Sequence, residues 1–322
     1  MIRIITSRLL AVLPVALFAV LFIFLILQLA PGDPASLIAG DDASEEEIEA
    51  VRRGLGLDRP IYEQFWIWLV GLSQGDLGTS LVTKLVIADI IGYRIAITVQ
   101  LAIAGAIVAV LLGVIIGSIA AILRGRAFDA GVSVGTGVAM ATPEFWFGIL
   151  LVLLFAVELG WLPSQGMPLF IDDPSGALRS LVLPATAIAL HPTALIARTV
   201  RASVSKTLSE DYIRTARAKG AWGFRLGAKH VIRNALVPIL AIIGIEIGGM
   251  LGGAVVIEAV FALPGLGNLL VTAVGNRDYP VVQATLLILM IGIVLVNLVT
   301  DIAYGIADPR IRSGAASRIA RR

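Results

Sequence analysis

Three ionisable side chains stand inside long apolar runs: Glu144, His191 and Glu246. A charged side chain at the centre of a bilayer costs about 2.5–3.5 kcal/mol on insertion scales, so such a group faces protein or water. The chemistry open to Glu246, and with it Glu144, is to line a translocation path and meet the amino group of a solute. The structural alternative keeps both neutral or hydrogen-bonded to neighbouring helices. His191 precedes Pro192, and its simplest role is to serve the backbone carbonyl that a helical proline leaves without a donor. With two histidines in the chain, in different environments, no metal site is expected. Gly71-Leu-Ser73-Gln-Gly75 has the spacing of a hydrolase elbow, but that motif needs a strand–turn–helix and a nearby histidine. Here it closes an amphipathic helix. The chain lacks G-x-x-x-x-G-K-[ST] and H-E-x-x-H, so it carries neither a P-loop nor a zinc-protease site. It has no cysteine, which removes thiol catalysis. No catalytic residue, cofactor or metal is therefore expected on this chain.

The elements that must position these residues follow from composition. Of 322 residues, 58% are hydrophobic and 15% charged, and mean hydropathy is +0.93. A soluble domain carries nearer a quarter charged residues, so the solvent for most side chains is lipid. Six apolar runs are long enough to cross about 30 Å of hydrocarbon. They are Leu9 to Ala30, the stretch between Arg94 and Arg124, Gly131 to Leu159, Leu181 to Ala197, Ala235 to Ile257 and Val281 to Thr300. The fourth is the shortest. The first is too long for a signal peptide and ends in Pro31-Gly32-Asp33-Pro34 without a cleavage pattern, so it reads as a retained span. Placing the N-terminus in the cytoplasm puts Arg3, Arg8, Arg124, Arg126, the cluster from Arg198 to Arg233 and the tail from Arg310 to Arg322 inside. Most of the 23 acids then lie outside. The positive-inside rule thus predicts both termini cytoplasmic. The chain divides into 1–30, an N-terminal segment and first span; 31–94, a small extracytoplasmic helical region; 95–310, a core with five spans and a cytoplasmic loop at about 203–237; and 311–322, a tail.

In the extracytoplasmic region, Ser44-Glu45-Glu46-Glu47 is a capping box, and Glu49 with Arg53 is spaced for an ion pair on the helix it starts. Gly54 or Gly56 ends that helix. Pro60 opens another, with Ile61, Phe65, Trp68, Leu69 and Leu72 on one side and tryptophans suited to the headgroup zone. This region reads as a packed cap over the spans or as a docking surface for an external partner. The cytoplasmic loop is basic, helically periodic and broken by Gly220 and Gly223. Its Tyr212, Ile213, Ala216, Trp222, Phe224 and Leu226 cannot all be buried within so short a segment. Either a partner groove receives them or they lie on anionic lipid. Pro264-Gly265-Leu-Gly267 permits a tight backbone re-entry, and Asn276-Arg-Asp-Tyr-Pro280 is a turn into the last span. Gly244, Gly248 and Gly252 form a small-residue stripe on the fifth span, with Gly249 and Gly253 beside it. Gly113 and Gly117 repeat the pattern on the second. The fifth span is thereby a candidate seam with a second subunit.

Several segments carry a family resemblance: Pro31-Gly-Asp-Pro34, Gly56-Leu-Asp-Arg-Pro60, Gly75-Asp-Leu-Gly78, Pro143-Glu-Phe-Trp146, Asp211-Tyr-Ile-Arg-Thr-Ala-Arg-Ala-Lys-Gly220, Arg233-Asn-Ala-Leu, Phe261 to Gly267, Arg277-Asp-Tyr-Pro280 and Asp308-Pro-Arg-Ile-Arg312. Together they resemble the membrane component of binding-protein-dependent ABC importers, and within it the first permease subunit of the dipeptide/oligopeptide family, which also serves nickel and glutathione importers. The resemblance implies an all-α, six-helix type I importer permease in the bacterial cytoplasmic (inner) membrane. It implies a second related permease, two ATPase subunits that hold ATP and Mg, and an external solute-binding protein; nucleic acid has no part. It makes the loop a coupling loop, with Asp211, Tyr212, Ala216, Arg217, Lys219, Gly220, Trp222 and Phe224 against the ATPase. The general importer motif begins Glu-Ala-Ala six residues before its glycine, where this chain has Arg214, Thr215 and Ala216, and Pro238 lies further downstream than in that pattern. Contacts assigned to that glutamate therefore have no bearer here. The rival readings are an ion-driven secondary transporter, with Glu246 and Glu144 as proton carriers, and a membrane enzyme.

Overall fold

The computed structural model describes residues 14, 16–25, 33–40, 43–54, 56–219 and 233–307. These residues are almost entirely helical: α1 (Ala16–Leu25), α2 (Pro34–Ala39), α3 (Glu45–Gly54), α4 (Ile61–Ser73), α5 (Ile87–Ile122), α6 (Ala127–Ala141), α7 (Glu144–Leu151, wound on as a π-helix over Val152–Glu158), α8 (Pro174–Leu208), α9 (Asp211–Ala218), α10 (Arg233–Val260), α11 (Leu266–Gly275) and α12 (Tyr279–Ala307). Four of them, α5, α8, α10 and α12, are long and apolar enough to cross a membrane unaided. At 36 residues α5 is about 54 Å long, well beyond the hydrocarbon thickness.

Two of the expected spans take a different form. The third, read as continuous from Gly131 to Leu159, is broken into α6 and α7, which meet at 100°. Pro143 is the cause. A residue before proline is pushed out of the helical region, and Thr142 is extended at φ −88°, ψ 124°. The fourth, the shortest apolar run, becomes the 35-residue α8, which is the most buried of the long helices. Its run is diluted by Thr186, His191, Pro192 and Thr193 because a helix packed on several sides needs small side chains more than lipid-soluble ones.

The core forms around α8. Ile188, Ile196 and Val200 on α8 pack with Ile97 and Leu101 of α5, Met250 and Ile257 of α10, and Phe261 and Leu263 beyond it. A second cluster joins Ile87 and Ile91 of α5 to Leu266 and Leu269 of α11 and Val281 and Val282 of α12. The α5–α8 seam is close because α5 presents Gly105, Gly113 and Gly117 to Ile188, Ile196, Ala197 and Val200. A Cβ at Gly113 would lie 2.7 Å from Ile196 Cγ2, and one at Gly117 would overlap the Ala197 carbonyl. Between α5, α6, α7 and α8 lies an apolar cavity of about 490 Å³, lined by Leu112, Val132, Phe147 and Leu190 among others.

Between α1 and α5 the chain forms a small helical cap. Ser44 N–H donates to Glu47 Oε2 at 2.8 Å, and Glu47 N–H donates back to Ser44 Oγ at 3.3 Å, the reciprocal pattern that the spacing predicts. Glu49, expected to pair with Arg53, instead pairs with Arg52 at 3.0 Å, while Arg53 Nε donates to the Glu49 carbonyl. Arg52 also reaches Asp33 at 2.8 Å and so ties α3 to the start of α2. In α4, Phe65, Trp68, Leu69 and Leu72 are half-buried as expected, whereas Ile61 is exposed. Phe65 and Trp68 hold Phe24 of α1 at centroid distances of 5.2 and 5.8 Å.

Two predictions follow from these contacts. Gly117→Leu overpacks the α5–α8 seam, and about 1–3 kcal/mol of destabilisation is expected, read as a lower midpoint in thermal melting of the detergent-solubilised protein. An unchanged midpoint would mean that the helices are not in contact there. The second concerns acid. The Ser44 N–H and hydroxyl hold the Glu47 carboxyl below its ordinary value of 4.5. A lowered folded-state pKa stabilises above the unfolded value and is lost as pH falls through the folded one. The first turn of α3 should therefore lose amide protection against hydrogen exchange below about pH 4.5, and Glu47→Gln, which removes the titrating carboxyl, should abolish that pH dependence.

Candidate functional site

The first group of interest is the intramembrane cluster. Glu144 is the first residue of α7, directly after the Pro143 bend, rather than midway along a straight span. Glu246 comes from α10 and His191 from α8. Glu144 and Glu246 interact electrostatically, as do Glu246 and His191, so three helices bring them together. All three are half-buried. Gly253 of α10 leaves room for Glu144, since a Cβ there would lie 3.2 Å from Oε2. Among the described residues neither carboxylate accepts a hydrogen bond. Nor, among them, are three His, Cys, Asp or Glu side chains close enough to hold a metal ion.

Glu258 is the opposite case. It lies at the end of α10, is fully buried and is saturated with donors. Thr98 Oγ1 of α5 donates to Oε1 at 2.6 Å, and the Gly267 and Asn268 N–H groups donate to Oε2 at 2.6 and 3.2 Å. Thr98 Oγ1 in turn accepts the Leu266 N–H at 2.9 Å. A helix leaves its first N–H groups without intrahelical acceptors, so the N-terminus of α11 is a natural partner for a carboxylate. Arg94, one turn before Thr98 on α5, adds its positive field. The re-entry needs both glycines. A Cβ at Gly265 would run into the Glu258 carboxylate, and one at Gly267 into the Val255 backbone. Before them Ala262 is held at φ +46°, where glycine is usual, by its buried neighbours Phe261 and Leu263.

Two further anchors join segments far apart in sequence. Asp278 accepts the Ser80 hydroxyl at 2.5 Å and the Leu81 N–H at 3.0 Å, so the Asn276–Pro280 turn is fastened to the loop after Gly75–Gly78. At the opposite end of the long helices, Asp129 of α6 takes two hydrogen bonds from Arg201 of α8, one of them very short, and a third from Gly125 N–H at 3.0 Å. None of Glu258, Thr98, Asp278, Ser80, Asp129 and Arg201 was singled out from the sequence. A signal for Glu258 was present: an acid at the end of an apolar helix with Gly265 and Gly267 just beyond it.

Of the loop residues, Asp211 and Tyr212 open α9, with Asp211 almost fully exposed and Tyr212 exposed. Ile213, between them and Arg214, is wholly buried and pins the short helix to the body. Lys219 follows α9 and is exposed; the backbones of Ala216 and Arg217 lie within it. Gly220, Trp222 and Phe224 lie outside the described residues. In the glycine stripe, Gly244 abuts Thr300 and Gly248 abuts Asn297, both on α12, while Gly249 and Gly252 have nothing within 4 Å.

Long apolar helices, re-entrant short ones and carboxylates buried among them define a polytopic membrane protein. Residues 113–313 match the family described as the binding-protein-dependent transport system inner membrane component, and residues 1–102 match its N-terminal region. The chain belongs to this family of transport permeases. It is 44% identical over 312 residues to a Brucella abortus protein named as a peptide transport system permease, covering 97% of this chain and 99% of that one. It is 42% identical over 313 residues to the glutathione transport system permease of Escherichia coli O6:H1, with the same coverage.

The Glu258 cluster yields a graded prediction. Glu258→Ala leaves buried N–H donors and the Thr98 hydroxyl without an acceptor, at about 1–3 kcal/mol each. Glu258→Gln keeps one acceptor oxygen. Thermal melting should rank wild type above E258Q and E258Q above E258A; equal midpoints for all three would refute the anchoring role.

Proposed function

We propose that this chain is a permease subunit of an ATP-driven importer for peptides, forming half of the translocation path beside a second, related permease. The observation that carries this is the near full-length relationship to a protein named for peptide transport. Glutathione is itself a tripeptide, so the second relative falls in the same chemical class. In this reading the chain crosses the inner membrane six times, α6 and α7 together making the broken third span, with both termini cytoplasmic. The cap between α1 and α5 faces outward, where a solute-binding protein docks. Two ATPase subunits hold ATP and Mg and receive α9 and the loop after it. The exposure of Asp211 and Tyr212 beside buried Ile213 supports that role, since the helix has one face committed to its own chain and another free for a partner.

Glu246 and Glu144 line the path in this reading. Two half-exposed carboxylates that accept no hydrogen bond among the described residues are too costly to face hydrocarbon, so they need water or a cationic solute group. A peptide's ammonium terminus is such a group. The sequence carries no G-x-x-x-x-G-K-[ST], so in this reading the energy for movement comes from the partner subunits.

The tagged chain, purified in mild detergent from its native membrane, should bring with it a second permease and P-loop ATPases. The complex reconstituted in vesicles should take up peptide only with ATP and the binding protein. Glu246→Gln should lower uptake of a peptide with a free amino terminus by about tenfold, the loss of one charge-assisted contact, and leave an N-acetylated peptide less affected. Uptake by the chain alone in ATP-free vesicles would overturn the importer reading. Equal losses for the two peptides would overturn the path role of Glu246.

A further inference from the structure

A cavity of about 940 Å³ opens between α1, α3, α4 and the first turn of α12. Four of the motif segments border it: Asp33 of the Pro31–Pro34 segment, Gly56–Pro60, Gly75–Gly78 and the Tyr279–Pro280 turn. Its floor is aromatic. Phe24, near the end of α1, is 3% exposed and stacks on Trp68, which also borders the cavity. Trp66 and Ile67 of the same helix are 64% and 52% exposed. An apolar helix carrying outward tryptophans against the end of a span lies at headgroup level.

The wall above this floor is cationic. Of its charged residues, Arg52 pairs with Asp33 at 2.8 Å, while Asp76 accepts the Gly78 N–H at 2.8 Å and keeps its charge, so three arginines against two aspartates leave the wall net positive. Arg53 commits only Nε, to the Glu49 carbonyl at 3.3 Å. Arg59 forms no ion pair among the described residues. Two guanidinium groups thus retain their terminal N–H donors beside a cavity with an aromatic floor. A guanidinium fork matches the oxygens of a phosphate. Gln283, half-buried on the first turns of α12, supplies a further polar group.

We propose that this cavity is a binding site for an anionic phospholipid, with its phosphate on Arg53 and Arg59 and its acyl stems on Phe24, Ile67 and Trp68. Continuity decides for a lipid over a soluble peptide carboxylate. The aromatic floor runs into the exposed apolar surface of α1 and α4, which includes Leu25 and Trp66, and acyl chains can follow that surface where a peptide has no reason to. The bound lipid would join α1, the cap and α12, elements that among the described residues meet mainly through the Phe24 ring contacts and the Asp278 anchor.

The test uses the purified transporter complex, stripped of lipid by extended detergent washing and then given phosphatidylglycerol, phosphatidylcholine, inorganic phosphate or a peptide substrate. Native mass spectrometry counts bound lipid, and thermal melting reads its effect. Phosphatidylglycerol should bind and raise the midpoint, and the R53Q/R59Q double variant should bind it about tenfold or more weakly, as the loss of charge-assisted hydrogen bonds requires. R53K/R59K should recover part of the binding. Both side chains are exposed, so the variants should assemble as the wild type does, which co-purification of the partner subunits checks. Equal lipid retention by wild type and R53Q/R59Q would overturn the proposal. So would a midpoint shift by inorganic phosphate or the peptide that equals the lipid's and is lost in R53Q/R59Q, since that result assigns the cavity to a soluble anion.

Discussion

A carboxylate with no access to water must find its donors in the protein, and Glu258 finds them on two other elements at once. The cost of an unpaired buried charge is several kcal/mol, so the requirement acts as a constraint on geometry. Thr98 has to stand opposite the end of α10, which sets the register of α5 against it. The chain has to turn back sharply enough for the N-terminus of α11 to reach the same oxygens, which demands glycine at 265 and 267 and a left-handed Ala262. Once α11 is fixed, Leu266 and Leu269 meet Ile87 and Ile91 of α5, and α12 follows with Val281 and Val282. One side chain thereby determines how four helices enter their shared end of the bundle.

The other two acids of the bundle interior obey the same energetics with the opposite outcome. Glu144 and Glu246 come together from α7 and α10 with no donor among the described residues, half-open beside His191. The contrast separates a carboxylate satisfied by hydrogen bonds from two that, among the described residues, accept none. The scaffold that holds them apart from Glu258 is α8, whose small residues allow α5 to approach along Gly105, Gly113 and Gly117 while α7 and α10 pack on other faces. Asp129 and Arg201 close α6 onto α8 at the far end, so the bent α6–α7 unit is clamped on both sides of its bend.

Much of this was legible beforehand where the physics is local. The Ser44–Glu47 capping box depends on four consecutive residues, and it forms as its spacing requires. The turn at Asn276–Pro280 is likewise a matter of neighbouring residues. Glu49 pairs with Arg52 rather than Arg53 because helix spacing permits both, and Asp33 draws Arg52 to that side. The bend at Pro143 was within reach of sequence reasoning, but the hydrophobicity on either side masked it. The length of α8 was underestimated for a related reason: hydrophobicity reports exposure to lipid, and a central helix has little.

Composition and spacing are enough to place this chain in a membrane, to mark its long apolar runs and to locate the short segments that cap and turn, because burial in lipid and hydrogen bonding between near neighbours are local. Which distant residues meet depends on the assembled bundle. Thr98 and Glu258, Ser80 and Asp278, Asp129 and Arg201, and Glu144 and Glu246 are each separated by 72 to 198 positions or lie on different helices with no pattern linking them. Their pairing depends on how helices rotate and slide against one another, and that is set by packing summed over whole interfaces.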